Sequence, residues 1–173
     1  MTSRPGVGTI TTHRLSTNGW RTYYSAVDAP RPSVELGEQL CFSVYRASKA
    51  LTARYRPLLE ELGITYPQYL VLMTLWEHDD QTGREISDRL DLDPGTISLM
   101  LKRLAGRGLI TRQRGTEDGR QVRIRLTDAG RALEQAAVGV SAAMLDTLAL
   151  DTTRFAALKR ELDELTERVG ISA

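Results

Sequence analysis

The most informative segment of the chain spans residues 82–127 and reads TGREISDRLDLDPGTISLMLKRLAGRGLITRQRGTEDGRQVRIRLT. Thr82-Gly83-Arg84-Glu85 matches the capping-box pattern that opens a helix, and a tight turn follows at Asp91-Leu92-Asp93. Pro94 comes directly after that turn, where a first-turn proline is tolerated, and it predicts a second helix that ends near Gly106. Two short helices joined by a three-residue turn are typical of a helix-turn-helix.

The period of the apolar residues changes after the second helix. Leu109, Thr111 and Gln113 predict a short strand, and residues 115–120 predict a turn. In the next segment, apolar and basic residues alternate along Val122-Arg123-Ile124-Arg125-Leu126. The sequence therefore predicts a β-hairpin with apolar side chains on one face and arginines on the other.

Basic charge is concentrated in this part of the chain. Residues 102–125 carry eight Lys or Arg against two acidic residues, a local charge of +6 in a chain whose formal net charge is +1. Such a block is an ordinary solvated face in many proteins, but it is also what a phosphate-binding surface requires.

Helical patterns flank the central segment on both sides. An apolar stripe with helical spacing runs from Val34 to Leu62, a second helix from Thr65 to about Glu77, and two more over 128–148 and 151–169. A stripe as long as the first needs a partner helix, and a second copy of the chain would supply one. The prediction is a mostly α-helical fold with a flexible extension at 1–33, dimerisation helices at 34–64 and 127–173, and a DNA-binding region at 65–126.

The second helix of the helix-turn-helix is predicted to lie in a DNA major groove. Hydroxyls near its N-terminus suit phosphate or base edges, helped by unpaired backbone N–H groups, and later basic residues suit phosphates or guanine. At the predicted hairpin tip, Gly119 is expected to relax the backbone, and Asp118 can brace Arg120 for insertion into the minor groove. The candidate DNA-binding residues are Thr96, Ser98, Lys102, Arg103, Arg112, Asp118 and Arg120.

Over about residues 34–170 this order of elements resembles the MarR family of bacterial regulators, whose hallmark Asp-x-Arg motif is matched by Asp118-Gly119-Arg120. The resemblance implies a winged helix-turn-helix and a homodimer with interlocked first and last helices. It also implies binding to a roughly palindromic DNA operator.

A narrower resemblance, to the organic-hydroperoxide-sensing (OhrR) branch, is carried by segments 40–45, 55–59, 64–70 and 76–78. From position alone, Cys41 is readily explained as a small buried hydrophobe. In that branch, however, the matching cysteine is the peroxide sensor. The matching tyrosines, Tyr55 and Tyr66, donate hydrogen bonds to its sulfur from the other subunit, and Tyr45 lies nearby. Phenolic donors favour a thiolate, so these roles are chemically reasonable.

The same resemblance implies that an organic hydroperoxide oxidises Cys41 to a sulfenic acid and that the operator is then released. The chain has one cysteine, so it departs from members that form an intersubunit disulfide. A low-molecular-weight thiol, a backbone nitrogen or further oxidation would then decide the fate of the sulfenic acid. A second departure is Pro94, where a hydrogen-bonding serine is common.

Composition excludes several other classes. No secretory signal is visible at the N-terminus, and the apolar run from Tyr69 to Trp76 is too short for a bilayer, which predicts a cytoplasmic protein without a membrane partner. Two histidines without ligand spacing predict no metal, and no cofactor is expected. Two alternatives stay open: a MarR-type repressor triggered by a small phenolic ligand, and a one-cysteine thiol peroxidase. The second is disfavoured because no motif pairs Cys41 with a base or an arginine.

Overall fold

The computed structural model describes residues 32–114 and 121–170, which form six α-helices and three β-strands. The predicted turn at 115–120 and the extension through residue 31 lie outside the described residues. The elements in chain order are a short 3-10 helix (Leu36–Glu38), α1 (Leu40–Glu61), α2 (Tyr66–Glu77), β1 (Gln81–Thr82), α3 (Gly83–Leu90), α4 (Pro94–Gly106), β2 (Ile110–Arg114), β3 (Val122–Leu126), α5 (Asp128–Leu148) and α6 (Thr152–Val169).

The chain divides into two compact units, one ending at Arg46 and one beginning at Ala47. The described part of the first unit holds the 3-10 helix and the start of α1, and none of its residues is buried. The second unit contains the whole buried core.

The first helix begins later than its apolar stripe predicts. It starts at Leu40 rather than at Val34, because Gln39 has extended backbone angles that interrupt the helix after the 3-10 turn. The Gln39 side-chain amide donates instead to the Ser33 carbonyl oxygen at 2.5 Å. A stripe of apolar residues reports a common face, and it does not by itself fix where a helix starts.

The helix starts in the second unit follow the predicted caps. Thr82 accepts from the Glu85 backbone N–H at 3.2 Å while the Glu85 carboxylate accepts from the Thr82 N–H at 2.6 Å, a complete capping box. Side chains also cap α4, α5 and α6, through Asp93, Thr127 and Asp151. These short-range contacts explain why the boundaries of the helix-turn-helix were predictable.

The hairpin is confirmed, and the sheet has one more strand than the sequence predicted. β2 and β3 pair antiparallel with Arg112 opposite Ile124, and β1 pairs with the other edge of β3, with Thr82 opposite Arg123. A two-residue strand is too short to show a period, so it was not predicted.

The core is formed by α2, α3, α4, the hairpin and parts of α1 and α5. Its fully buried members are Leu59, Val71, Leu72, Leu75, Ile86, Ile97, Leu104 and Ile124. α6 has no buried residue, and its Phe155, Leu158 and Leu162 are exposed. The mostly helical fold with a winged helix-turn-helix is therefore as predicted.

The start of α5 lies against the base of the hairpin. A Cβ atom added at Gly130 would overlap with the carbonyl oxygen of Leu109. The Trp76 indole N–H donates to the Gly130 carbonyl oxygen at 3.0 Å, and the Thr127 hydroxyl donates to the Gly108 carbonyl oxygen at 2.6 Å. These contacts join α2, α5 and the hairpin at one point.

In the described residues, no single helix is both long and apolar enough to cross a membrane; α5 and α6 pass that test only as a pair, with a 98° bend between them.

Candidate nucleic-acid interface and cysteine site

α4 has one buried and one exposed face. Ile97, Met100, Leu101 and Leu104 face the core. The four residues that the sequence assigned to DNA on this helix are all exposed: Thr96, Ser98, Lys102 and Arg103. A polar face with basic residues, on a helix whose other side is fixed in the core, has the geometry needed to enter a groove.

The N-terminus of α4 differs from the expectation of unpaired N–H groups. Asp93 accepts the Thr96 backbone N–H at 2.9 Å, and the Thr96 hydroxyl donates to the second carboxylate oxygen of Asp93. The hydrogen bonds from the Thr96 side chain and backbone lower the pKa of Asp93, which keeps it ionised. A carboxylate at this helix end disfavours a phosphate there. Because the Thr96 hydroxyl donates its hydrogen to Asp93, its oxygen can only accept a hydrogen bond from DNA, and such an acceptor suits a base edge.

One exposed residue of α4 was missed. Leu99 is 51% exposed, although it is apolar, and lies one turn from Thr96, Lys102 and Arg103. Apolar contact with a thymine methyl is one of the ways in which a major-groove helix reads sequence. A helical wheel would have placed Leu99 opposite Ile97, Leu101 and Leu104, and that signal was available in the sequence.

The hairpin carries part of the basic block. Arg112 is exposed on β2, as a DNA contact requires, while Asp118 and Arg120 lie outside the described residues. Arg123 and Arg125 on β3 are bound to a carboxylate outside the block, since their Nε atoms each lie 2.9 Å from Asp80 Oδ1. The +6 counted from the sequence therefore overstates the charge that these strands offer to phosphates.

Tyr55 and Tyr66, the two tyrosines that the resemblance assigns to the sensor site, come together in the second unit. Their ring centroids lie 4.7 Å apart, and Tyr69 lies 5.9 Å from Tyr55 and 6.4 Å from Tyr66. Trp76 extends the cluster, with its ring 6.1 Å from that of Tyr69. Tyr69 and Trp76 lie in the segments that carried the resemblance, but sequence reasoning gave neither of them a role.

The phenols of this cluster keep their protons. Burial raises the pKa of Tyr55, Tyr66 and Tyr69, and the neighbouring rings of the cluster add to the rise at Tyr55 and Tyr69. Because the ordinary pKa of tyrosine is already about 10, all three are O–H donors throughout the physiological range. A thiolate is the kind of acceptor that such donors stabilise.

Cys41 and Tyr45 belong to the first unit and lie one turn apart at the start of α1. Cys41 is exposed in the single chain, and Tyr45 is 57% exposed. The interpretation of Cys41 as a buried hydrophobe is therefore wrong for the single chain. A small solute can reach the sulfur there, which redox chemistry requires.

A cleft of about 520 Å³ opens on the second unit beside Tyr66. Its lining includes Leu59, Ile64 and Pro67 together with the cationic Lys49 and Arg56. Its volume and its mixture of apolar and cationic groups suit a small aromatic acid. In the described residues no cluster of three or more metal-ligating side chains occurs.

The chain is similar to known proteins both in sequence and in fold. The model of the MarR family matches residues 64–122. The organic hydroperoxide resistance transcriptional regulator of Bacillus subtilis (strain 168) is 47% identical over 112 residues, which are 65% of this chain and 76% of that protein.

Solved structures of two regulators share the fold. Reduced AbfR bound to DNA is 40% identical, with a TM-score of 0.69 and coverage of 78% of this chain and 92% of that one; AbfR from Staphylococcus epidermidis has been solved as well, and others are a disulfide form and an overoxidised form bound to DNA. The PcaV regulator of Streptomyces coelicolor in complex with its natural ligand is 26% identical, with a TM-score of 0.71 and coverage of 79% and 98%.

Proposed function

Because the chain belongs to the MarR family of transcriptional regulators, we propose that it is a dimeric repressor that leaves its operator when an organic hydroperoxide oxidises Cys41. The family membership rules out the thiol peroxidase alternative. The observation that carries the sensor proposal is the pairing of Tyr55 with Tyr66, two phenols that stay protonated. Cys41 is exposed in the single chain, so the proposal has the partner subunit's phenols reach it. The likeness to a hydroperoxide resistance regulator supports it.

The proposed chemistry is a two-electron oxidation of one sulfur. The Cys41 thiolate attacks the terminal peroxide oxygen, an S–O bond forms and the O–O bond breaks. The peroxide is reduced and leaves as an alkoxide, which takes up a proton to become an alcohol. Cys41 is left as a sulfenic acid. The phenolic O–H groups of the partner subunit's Tyr55 and Tyr66 donate to the thiolate before the attack, and Tyr45 lies beside it.

We propose that the next step uses a second thiol, which comes from a small molecule because the chain has no other cysteine. A low-molecular-weight thiol condenses with the sulfenic acid, forming an S–S bond and releasing water. Overoxidised AbfR has been solved on DNA, so a charged sulfur is not by itself the group that we expect to drive release. We propose that the bulk of the added thiol, at the interface between the two subunits, causes release of the operator.

The test is a gel shift on the DNA upstream of the chain's own gene. Treatment with cumene hydroperoxide in the presence of a small thiol should abolish the shifted band, and dithiothreitol should restore it. Mass spectrometry of the treated protein should show the added thiol on Cys41. A band that survives complete conversion of Cys41 to the mixed disulfide would rule out the sensor.

A second candidate function is release by an aromatic acid. The cleft lined by Lys49 and Arg56 favours it, and PcaV has been solved with its natural ligand. Thermal shift assays with phenolic acids separate the two candidates. A shift of several degrees that accompanies operator release in the fully reduced protein would favour the ligand.

Dimerisation is proposed from the apolar faces that the single chain leaves uncovered. In addition to the three apolar residues of α6, Leu40, Val44 and Leu51 on α1 and Val138 and Leu145 on α5 are exposed. An isologous dimer covers the same face of both copies, so one surface supplies both halves of the interface.

Leu158→Glu is expected to convert the dimer into a monomer, because it places a charge in the centre of the α6 face. Sedimentation velocity at micromolar concentration measures this change. Leu99→Glu is the matched control, since Leu99 is also 51% exposed but lies on α4. Equal effects of the two substitutions on the sedimentation coefficient would remove α6 from the interface.

The proposed mode of DNA binding places α4 in the major groove and the hairpin tip in the minor groove. Thr96, Ser98, Lys102 and Arg103 contact the major groove, with Leu99 against a thymine methyl. Arg112 contacts the backbone, and Asp118 braces Arg120 at the tip.

Arg120→Ala is expected to lower operator affinity about tenfold or more and to reduce the salt slope by about one per subunit. Lys102→Ala and Arg103→Ala should instead change affinity or preference among operator variants. Fluorescence anisotropy across a salt series measures both quantities. If Arg120→Ala bound the operator with unchanged affinity at every salt concentration, the placement of the hairpin tip in the minor groove would be contradicted.

A further inference from the structure

Two consecutive carboxylates, Asp79 and Asp80, lie between α2 and β1 and reach across to β3 and α5. The hairpin formed by β2 and β3 is the wing of the fold, and we call Asp79 and Asp80 the wing-root carboxylates. Asp80 has a φ of 59°, in the left-handed region that a non-glycine residue seldom adopts. This conformation lets the two neighbouring side chains bind different elements, and the Asp80 N–H also donates to Asp79 Oδ1 at 2.8 Å.

Asp80 holds the two arginines of β3. Arg123 Nε donates to Asp80 Oδ1 at 2.9 Å, and its Nη2 donates to the Asp80 backbone oxygen. Arg125 donates from Nη2 to Oδ2 at 3.0 Å. Glu85 adds a longer contact, since its carboxylate lies 3.7 Å from Arg123 Nη1. Both oxygens of one side chain are thus occupied by guanidinium groups.

Asp79 fixes the end of the same strand. Its Oδ1 accepts the Leu126 backbone N–H at 2.9 Å, and its Oδ2 accepts Arg131 Nη1 at 2.6 Å. Arg131 in turn donates to the Leu126 carbonyl oxygen at 3.0 Å. The strand that leads out of the hairpin is therefore tied to the loop before the helix-turn-helix and to the first turn of α5.

Both carboxylates stay ionised over the physiological range. Hydrogen bonds from Arg125 and then Arg123 hold the pKa of Asp80 well below its ordinary range. Burial alone would raise the pKa of Asp79, but hydrogen bonds from the Leu126 and Asp80 backbone and from Arg131 outweigh it, and the pKa is lowered.

We propose that Asp80 is a specificity-determining positioning residue: it withholds Arg123 and Arg125 from phosphates and fixes the wing in the register that reads the operator. An arginine that Asp80 no longer holds can contact the phosphates of any DNA, which raises non-specific affinity, whereas a wing that has lost its register also loses operator contacts. Together these two effects lower the ratio of specific to non-specific binding. The inference rests on the DNA-binding role of the family and does not depend on oxidation of Cys41.

The test uses Asp80→Asn, because asparagine has the same shape and also tolerates a positive φ. Affinities are measured by fluorescence anisotropy in the reduced full-length chain. The two probes are the duplex that the wild type protects in a footprint upstream of its own gene and a scrambled duplex of the same composition. We expect the variant to bind the scrambled duplex about threefold more tightly and the operator about tenfold more weakly.

The matched control is Asp88→Asn, which removes the same charge from α3 and frees Arg84 from an exposed pair at 3.7 Å. This variant should change both affinities together and keep their ratio. A role in folding alone would not raise affinity for scrambled DNA, so that rise is the readout that separates positioning from simple destabilisation.

Arg125→Gln in the wild-type background keeps the proposal testable if Asp80→Asn folds poorly, and in a double-mutant cycle with Asp80→Asn it isolates the effect of the freed guanidinium. In the wild-type background Arg125→Gln should change scrambled-duplex affinity by less than about twofold, because Asp80 already occupies the guanidinium. In the Asp80→Asn background it should cancel the gain. A large loss from Arg125→Gln alone, or a parallel fall of both affinities in Asp80→Asn, would overturn the proposal. Failure of the peroxide response would leave it intact.

Discussion

Cys41→Ser is expected to remain on the operator at hydroperoxide concentrations that release the wild-type chain. The serine hydroxyl is close in size to the thiol but cannot form the S–O and S–S bonds on which release depends. Reduced wild type and variant should therefore bind alike. After treatment we expect about a 10–100-fold loss of affinity for the wild type, the range of ordinary allosteric coupling, and almost none for the variant.

Tyr55→Phe and Tyr66→Phe test the role of the phenolic O–H groups in the same response. Each keeps the ring that packs at 4.7 Å from its neighbour and removes only the O–H group. Both should bind operator normally when reduced and should oxidise more slowly, which stopped-flow measurements with a thiol probe can follow. If Cys41→Ser dissociates with the same peroxide dependence as the wild type, Cys41 is not the sensor.

Gly130→Ala is expected to destabilise the fold by at least about 2 kcal/mol, within the range measured for overpacked sites. The added methyl would overlap with the Leu109 backbone oxygen, and backbone atoms cannot rotate away as a flexible side chain can. The start of α5 would have to move from the base of the hairpin, and the Trp76 hydrogen bond to Gly130 would be strained with it. Chemical denaturation measures the free energy of unfolding.

Gly139→Ala on the same helix is the control for Gly130→Ala. A Cβ there meets nothing within 4 Å, so the substitution should stabilise α5 by about 0.5–1 kcal/mol through helix propensity. Both variants should be measured at one protein concentration. Equal stability of the two variants would show that the contact between α5 and the hairpin is not close.

Local signals made most of the helix boundaries predictable. The capping groups at Thr82, Asp93, Thr127 and Asp151 act within three residues, so the sequence window that contains them also contains their partners. The start of α1 was predicted wrongly because an apolar stripe continues through the extended Gln39. β1 was missed because its two residues depend entirely on pairing with β3.

The DNA-binding surface and the tyrosine cluster could be predicted from the sequence to different degrees. The exposed face of α4 follows from helix period alone. The pairing of Arg123 and Arg125 with Asp80 joins residues more than forty positions apart, and no local pattern reveals such a contact. Tyr55 and Tyr66 were assigned from a family resemblance, whereas the packing of Tyr69 and Trp76 beside them needed the fold.

The absence of buried residues along α6 has a consequence for the amount of regulator that a cell must hold. An isolated helix of this length is marginal in water, so if a second subunit covers it, its order follows mass action. Dilution would then loosen the C-terminal end first, and the unfolding midpoint would rise with protein concentration. Repression would then need a minimum number of regulator molecules in the cell, whether or not an inducer is present.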